Sequence, residues 1–174
     1  MEEKKKPLWI LEEQFEKSEG IQISSVDSDY LLHRQLLRAE NGNLQVNYTP
    51  PMDLRHLTIP FGGEKNFDYR QVMIDLSNNT QVGTGKISVK TKREHDERII
   101  TPVGAVLCRH FISHVRIEAV IEETTAIFAA TEETYWCDTV GWFVKEVMAF
   151  DPLIQNGEMI RPGYKTESLL IGME

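Results

Sequence analysis

From Ile21 onward the apolar positions of this chain recur mostly every second residue, the spacing at which side chains along an extended strand return to one face. Ile21, Ile23 and Val26 lead to a polar Asp27-Ser28-Asp29 turn, and Tyr30 to Arg38 predicts a second strand. Asn41-Gly42-Asn43 predicts a hairpin, because Asn and Gly accept positive φ at little cost. Leu44, Val46 and Tyr48 then alternate with Gln45 and Asn47, as in a half-buried strand. Residues 49–63 carry Pro50, Pro51, Pro60, Gly62 and Gly63 and read as a connection. Phe67 to Leu76 predicts a strand turning at Ser77-Asn78-Asn79-Thr80, and Gln81 to Thr91 predicts another with Ile87 and Val89 inward. Past a charged tip at Lys92 to Glu97, Arg98 to Thr101 enters a Thr101-Pro102-Val103-Gly104 turn. That turn opens the longest extended run, Ala105 to Glu123; a second run passes through Tyr135 and Trp136 to Lys145, and Ser168 to Ile171 closes the series. Residues 7–18 differ: Leu8, Leu11 and Phe15 fall on one side of a short amphipathic helix that Gly20 would end.

About nine strands spaced roughly ten residues apart predict a mainly β fold. The expected architecture is a single curved antiparallel sheet, a half-barrel or incomplete barrel, with the short N-terminal helix against it. Residues 1–19 form the charged segment and helix in this reading, and residues 20–174 one β-rich domain. In the long run, Leu107, Phe111, Val115, Ile117, Ala119 and Ile121 are expected on a core-facing side, and Cys108, His110, Ile112, His114, Arg116, Glu118 and Glu122 on the other.

Charge narrows the partners. A formal charge of −8 argues against a broad phosphate-binding surface, so nucleic acid is not expected as a partner. Lys86, Lys90, Lys92 and Arg93 are interleaved with Glu94, Asp96 and Glu97, which suits a solvated hairpin end. No apolar run approaches the roughly 20 residues of a transmembrane helix, and the apolar stretch from Leu8 to Leu11 is too short for a secretory signal. Cys108 and Cys137 either form one bridge, if neighbouring strands face each other there, or remain free thiols.

The order of short motifs resembles a known group. Tyr48-Thr-Pro-Pro51, the Pro60/Gly63 connection, Phe67, Thr101-Pro-Val-Gly104 before a long strand, and Trp136 through Val140-Gly141-Trp142-Phe143-Val144-Lys145 occur in that sequence. This resembles the TapB-like bacterial envelope proteins, related in shape to the lipoprotein-carrier (LolA-like) half-barrels. Val103, Asp138-Thr139 and Phe67 depart from that pattern, and the final hairpin is one residue longer. The resemblance covers about residues 20–150 and implies a scaffold with no catalytic residue to carry over. It also implies a periplasmic or cell-envelope location if a signal has been removed; otherwise the expectation is cytoplasmic.

The reactive-looking residues are weaker than they look. His110 and His114 share a strand face but sit about 13 Å apart, whereas metal ligands lie at roughly 2 Å; no metal or cofactor is expected. The acidic set Glu118, Glu122, Glu123, Glu132 and Glu133 reads as a solvated face, since nothing in the sequence selects a general acid–base pair. Gly83-Thr-Gly85-Lys86 lacks the earlier glycine and the following Ser/Thr of a phosphate loop, and glycines permitting strand curvature explain it better. Tyr135, Trp136, Trp142 and Phe143 suit cross-strand packing or an aromatic lip.

The leading expectation is therefore a non-enzymatic, envelope-type binding or structural module. Its sheet would hold an apolar small molecule, a lipid or a partner's peptide, with His110, His114, Arg116, Tyr135, Trp136 and Trp142 as candidate ligand contacts. The alternatives are a small hydrolase or metal-dependent enzyme using the polar face of residues 105–123, and a cytoplasmic protein-interaction module.

Overall fold

The computed structural model describes residues 8–14, 21–39, 42–56, 58–102, 104–121, 123–155 and 158–169. Among them are thirteen strands and no helix: β1 Leu8–Gln14, β2 Ile21–Asp27, β3 Leu31–Ala39, β4 Gly42–Asp53, β5 Glu64–Asp75, β6 Thr80–Arg93, β7 Glu97–Thr101, β8 Gly104–Ile121, β9 Thr124–Cys137, β10 Trp142–Phe150, β11 Leu153–Gln155, β12 Glu158–Arg161 and β13 Tyr164–Leu169. Hydrogen-bonded neighbours run β1-β2-β3-β4-β5-β6-β8-β9-β10-β13, with β7 attached to β8 and the β11–β12 hairpin to β9. The fold is mainly β and antiparallel, as the period-two pattern predicts.

The expected N-terminal helix is not what these residues build. Leu8–Gln14 pairs antiparallel with β2, from Leu8 opposite Asp27 to Gln14 opposite Ile21; residues 7 and 15–18 of the expected helix lie outside the described residues. A helix below about 12–15 residues is marginal on its own, and the free edge of β2 offers a full ladder of backbone hydrogen bonds instead. Residues 49–53, read from sequence as the start of a connection, continue β4. Past Thr49, which is opposite Arg70, β4 pairs only with β3, through Met52–Leu32 and Asp53–Leu31. Pro50 and Pro51 sit where the β3–β4 register shifts, so their missing N–H groups interrupt no regular ladder.

The chain divides into two compact units, Met1–Arg55 with Tyr69–Lys86 and Ala119–Thr125, and His56–Asp68 with Ile87–Glu118 and Ala126–Glu174. The first buries Val26, Leu32, Val46, Tyr69 and Met73. Its expected turn at Asp27 is held by the carboxylate itself, which accepts hydrogen bonds from the N–H groups of Asp29 and Leu31 and contacts His33 Nε2 at 2.9 Å. Burial would raise the pKa of Asp27, but the His33 and backbone hydrogen bonds hold it below the ordinary value. Gly83 is required by proximity: a Cβ there would meet the Val120 carbonyl at 2.7 Å and the Met73 methyl at 2.8 Å.

In the second unit Ile87 and Val89 point inward as expected, and Ile59 and Phe111 are fully buried. The two-sided reading of β8 needs correction. Cys108 and His110 are buried, and so are Phe111 and Ser113 on the opposite side, whereas Leu107 is 63% exposed. The strand is therefore covered on one face near its start and on the other from Phe111 onward. Part of the cause is β7, which hydrogen-bonds to β8 and lies against β10.

Candidate functional site

The register of β8 on β9 follows from two contacts. The His110 ring stacks on Tyr135 at 4.4 Å between centroids, and His114 Nδ1 lies 3.2 Å from Thr131 Oγ1. Four residues forward on one strand thus match four backward on the other, as an antiparallel pair requires. Residues opposite one another share a face, so β8, β9 and β10 together present two distinct side-chain surfaces.

One surface carries Cys108 and His110 of β8 with Cys137, Tyr135 and Glu133 of β9. Cys108, Tyr135, Cys137 and Val144 form a buried cluster closed by Ile99, Val106 and Val140. His110 Nδ1 is 3.1 Å from Glu97 Oε1, and its Nε2 is 3.9 Å from Glu133 Oε2. Tyr135 donates its hydroxyl to Glu133 at 3.3 Å, while Lys145 lies 5.8 Å over the Tyr135 ring and pairs with Glu167 at 2.9 Å. Burial, and then the charge of Glu97, push the Tyr135 phenol up to about 12, so it stays a neutral donor. This surface is a packed cluster with the Lys145–Glu167 ion pair at its rim, and within it His110 Nε2 is buried without a hydrogen-bond partner among the described residues.

The other surface carries more polar side chains. Continuing the register places Ser113 opposite Glu132 and Phe111 opposite Thr134; on the far side, Glu132 is opposite Met148, Thr134 opposite Glu146, and Trp136 opposite Phe143. Ser113 and Thr91 of β6 are fully buried and hydrogen-bond to each other at 3.0 Å. Thr134 is 2% exposed, and its hydroxyl has no hydrogen-bond partner among the described residues. Burial, reinforced by the charge of Glu146, pushes the half-buried Glu132 carboxyl up to about 8. Thr91, Ser113, Glu132, Thr134 and Glu146 thus make a polar band across three strands and β10, flanked by Phe111 and by Trp136 packed edge-on against Phe143 at 5.3 Å. Such a band can donate a hydrogen bond from the neutral Glu132 while Glu146 supplies negative charge.

The six residues expected from sequence do not form one site. His110 and Tyr135 are stacked together in the cysteine-bearing cluster. Trp136 and Trp142 meet at 6.0 Å near the β9–β10 turn, where Trp136 Nε1 and the Arg109 guanidinium both bond Asp138. His114 and Arg116 are exposed, and Arg116 pairs with Glu118. Alanine at His114 or Arg116 is accordingly expected to change stability by no more than ~0.5 kcal/mol, whereas His110→Ala should cost about 1–3 kcal/mol. Urea unfolding measures both, and equal costs would contradict the burial of His110. Among the described residues, no three His, Cys, Asp or Glu side chains are arranged to hold a metal ion.

Sequence reasoning included Glu132 in a solvated face and missed Thr91, Ser113, Thr134 and Glu146. Ser and Thr within a strand carry no pattern that separates a buried hydroxyl from an exposed one. The only available signal was Glu146, an acid inside the apolar run Phe143 to Phe150. Comparison of the chain with protein-family models, curated proteins and solved structures finds no match for any of the three.

Proposed function

We propose that this protein is a non-enzymatic binding module whose polar band anchors an amphipathic ligand. The apolar body would lie along the half-buried Phe143, and a cationic or hydrogen-bond-donating head would meet Glu132 and Glu146. The observation that carries this reading is the buried Thr134 hydroxyl without a partner, set beside two half-buried carboxyl groups. Unmatched polar groups in a core cost about 1–3 kcal/mol each. A few polar groups in an apolar lining are also the usual composition of a ligand site. The reading includes the incomplete-barrel closure and the TapB-like kinship expected from the sequence, and with them an envelope setting.

The test uses dodecylamine below its micellar concentration, with dodecanoate as the opposite-charge control, followed by tryptophan fluorescence and calorimetry. Saturable binding of the amine, weaker at least tenfold in Glu146→Gln, is expected. Absence of saturation, equal affinity for both amphiphiles, or an unchanged affinity in Glu146→Gln rejects the proposal.

A second reading is favoured by one observation. A carboxyl held protonated to about pH 8 beside a second carboxylate has the acidity of a general acid, so Glu132 would protonate a leaving group in a small hydrolase. Turnover of chromogenic esters or glycosides that disappears in Glu132→Gln would establish it in place of the binding module.

A further inference from the structure

We propose that Cys108 and Cys137 form a redox-active dithiol that hydroperoxides convert to an intramolecular disulfide. The two cysteines are 29 positions apart in sequence, but the register set by His110 on Tyr135 places them directly opposite one another, two pairs further toward the end of β9. Both side chains belong to one buried cluster with Tyr135 and Val144. Opposed residues of antiparallel strands have Cα atoms about 4.5–5.5 Å apart, inside the roughly 4.4–6.8 Å span that a disulfide bridges.

The surroundings distinguish the two sulfurs. Cys137 is the last residue of β9, and its Sγ lies 3.0 Å from Thr139 Oγ1 at the turn into β10. Cys108 Sγ faces the Val106 carbonyl at 3.7 Å. Burial pushes both thiols up, Cys108 to about 12; at Cys137, hydrogen bonds from the Thr139 hydroxyl and from the N–H groups of Val140 and Thr139 outweigh burial and hold it below the ordinary thiol value. Cys137 is therefore the nucleophile. Both cysteines are fully buried, Cys137 at the end of β9 and Cys108 within β8, beneath Ile99 and Val106 of the β7–β8 hairpin and Val140 of the turn. Local opening is easiest at such ends, and it admits a small oxidant.

The chemistry balances in two steps. The Cys137 thiolate attacks one peroxide oxygen and the O–O bond breaks; the leaving oxygen takes up the thiol proton and departs as alcohol or water, leaving a sulfenic acid. Cys108 sulfur then attacks Cys137 sulfur, the S–O bond breaks, and water departs with the Cys108 proton. Two electrons pass from the sulfurs to the peroxide.

The reduced full chain is treated with hydrogen peroxide under native conditions, then blocked with a thiol reagent in denaturant. Blockable thiols should fall from two to none, with the loss of two hydrogens in mass, a peptide link between Cys108 and Cys137, and full reversal by dithiothreitol. Cys108→Ser should stop at a dimedone-reactive sulfenic acid, and Cys137→Ser should react at least tenfold more slowly. Thiols that stay blockable, oxidation to sulfinic acid without a link, or links only between chains each overturn the proposal. The wild-type peptide map decides the matter even if a serine variant fails to fold.

Discussion

Glu132→Gln is expected to raise the melting temperature by roughly 10 °C at pH 9 and to leave it nearly unchanged at pH 5. The folded-state pKa of Glu132 stands at about 8, above its ordinary 4.5. Between these two values the folded chain holds a proton that the unfolded chain has released, so stability falls as pH rises through that window. Below it the carboxyl is neutral and glutamine imitates it. Above it the wild type either ionises in an apolar setting or retains the proton at a cost, while glutamine does neither; the difference is about 2–4 kcal/mol. A Glu146→Gln background should shrink the gain, because part of the shift comes from the charge of Glu146. Differential scanning calorimetry at the two pH values checks this. A gain of equal size at both, or a loss at pH 9, would place Glu132 in water. A bound cationic head would act in the same direction as glutamine at high pH, by stabilising the ionised form that the core disfavours.

The second large effect concerns β8. Phe111→Ala should cost about 3–5 kcal/mol, the range for emptying a fully enclosed aromatic site. Leu107→Ala, four residues earlier on the same side of the strand, should stay within ~0.5 kcal/mol because Leu107 faces water. Urea denaturation of the two variants compares them directly. Similar losses would restore one unbroken core wall along β8 and remove the argument that its covered face changes. The difference also bears on the polar band, since Phe111 lies opposite Thr134 and flanks that band on the same face.

Much of the strand plan was legible residue by residue. The Asp27 turn, the hairpin after Ala39, the inward Ile87 and Val89 and the Asn78-Asn79 turn all rest on local chemistry: alternation, carboxylate-to-backbone bonds, and side chains that tolerate positive φ. Errors arose where a neighbour overruled local preference. Leu8–Gln14 is patterned well enough for a helix, but β2 has an edge to fill. Pro50 and Pro51 look like a strand end, but β3 tolerates them at a register shift.

Period-two spacing specifies that Leu107 and Phe111 share a side of β8 wherever that strand runs without a bulge. It is silent on what lies over that side at each point, and Leu107 lies in water while Phe111 is enclosed. The same division holds for the chemistry. Cys108, Cys137, Glu132 and Glu146 are plain in the sequence as residues, but opposition of the two thiols and proximity of the two carboxyls depend on strand register. Register is a property of hydrogen bonding between distant segments, and a one-residue slip would send each of these side chains to the other face.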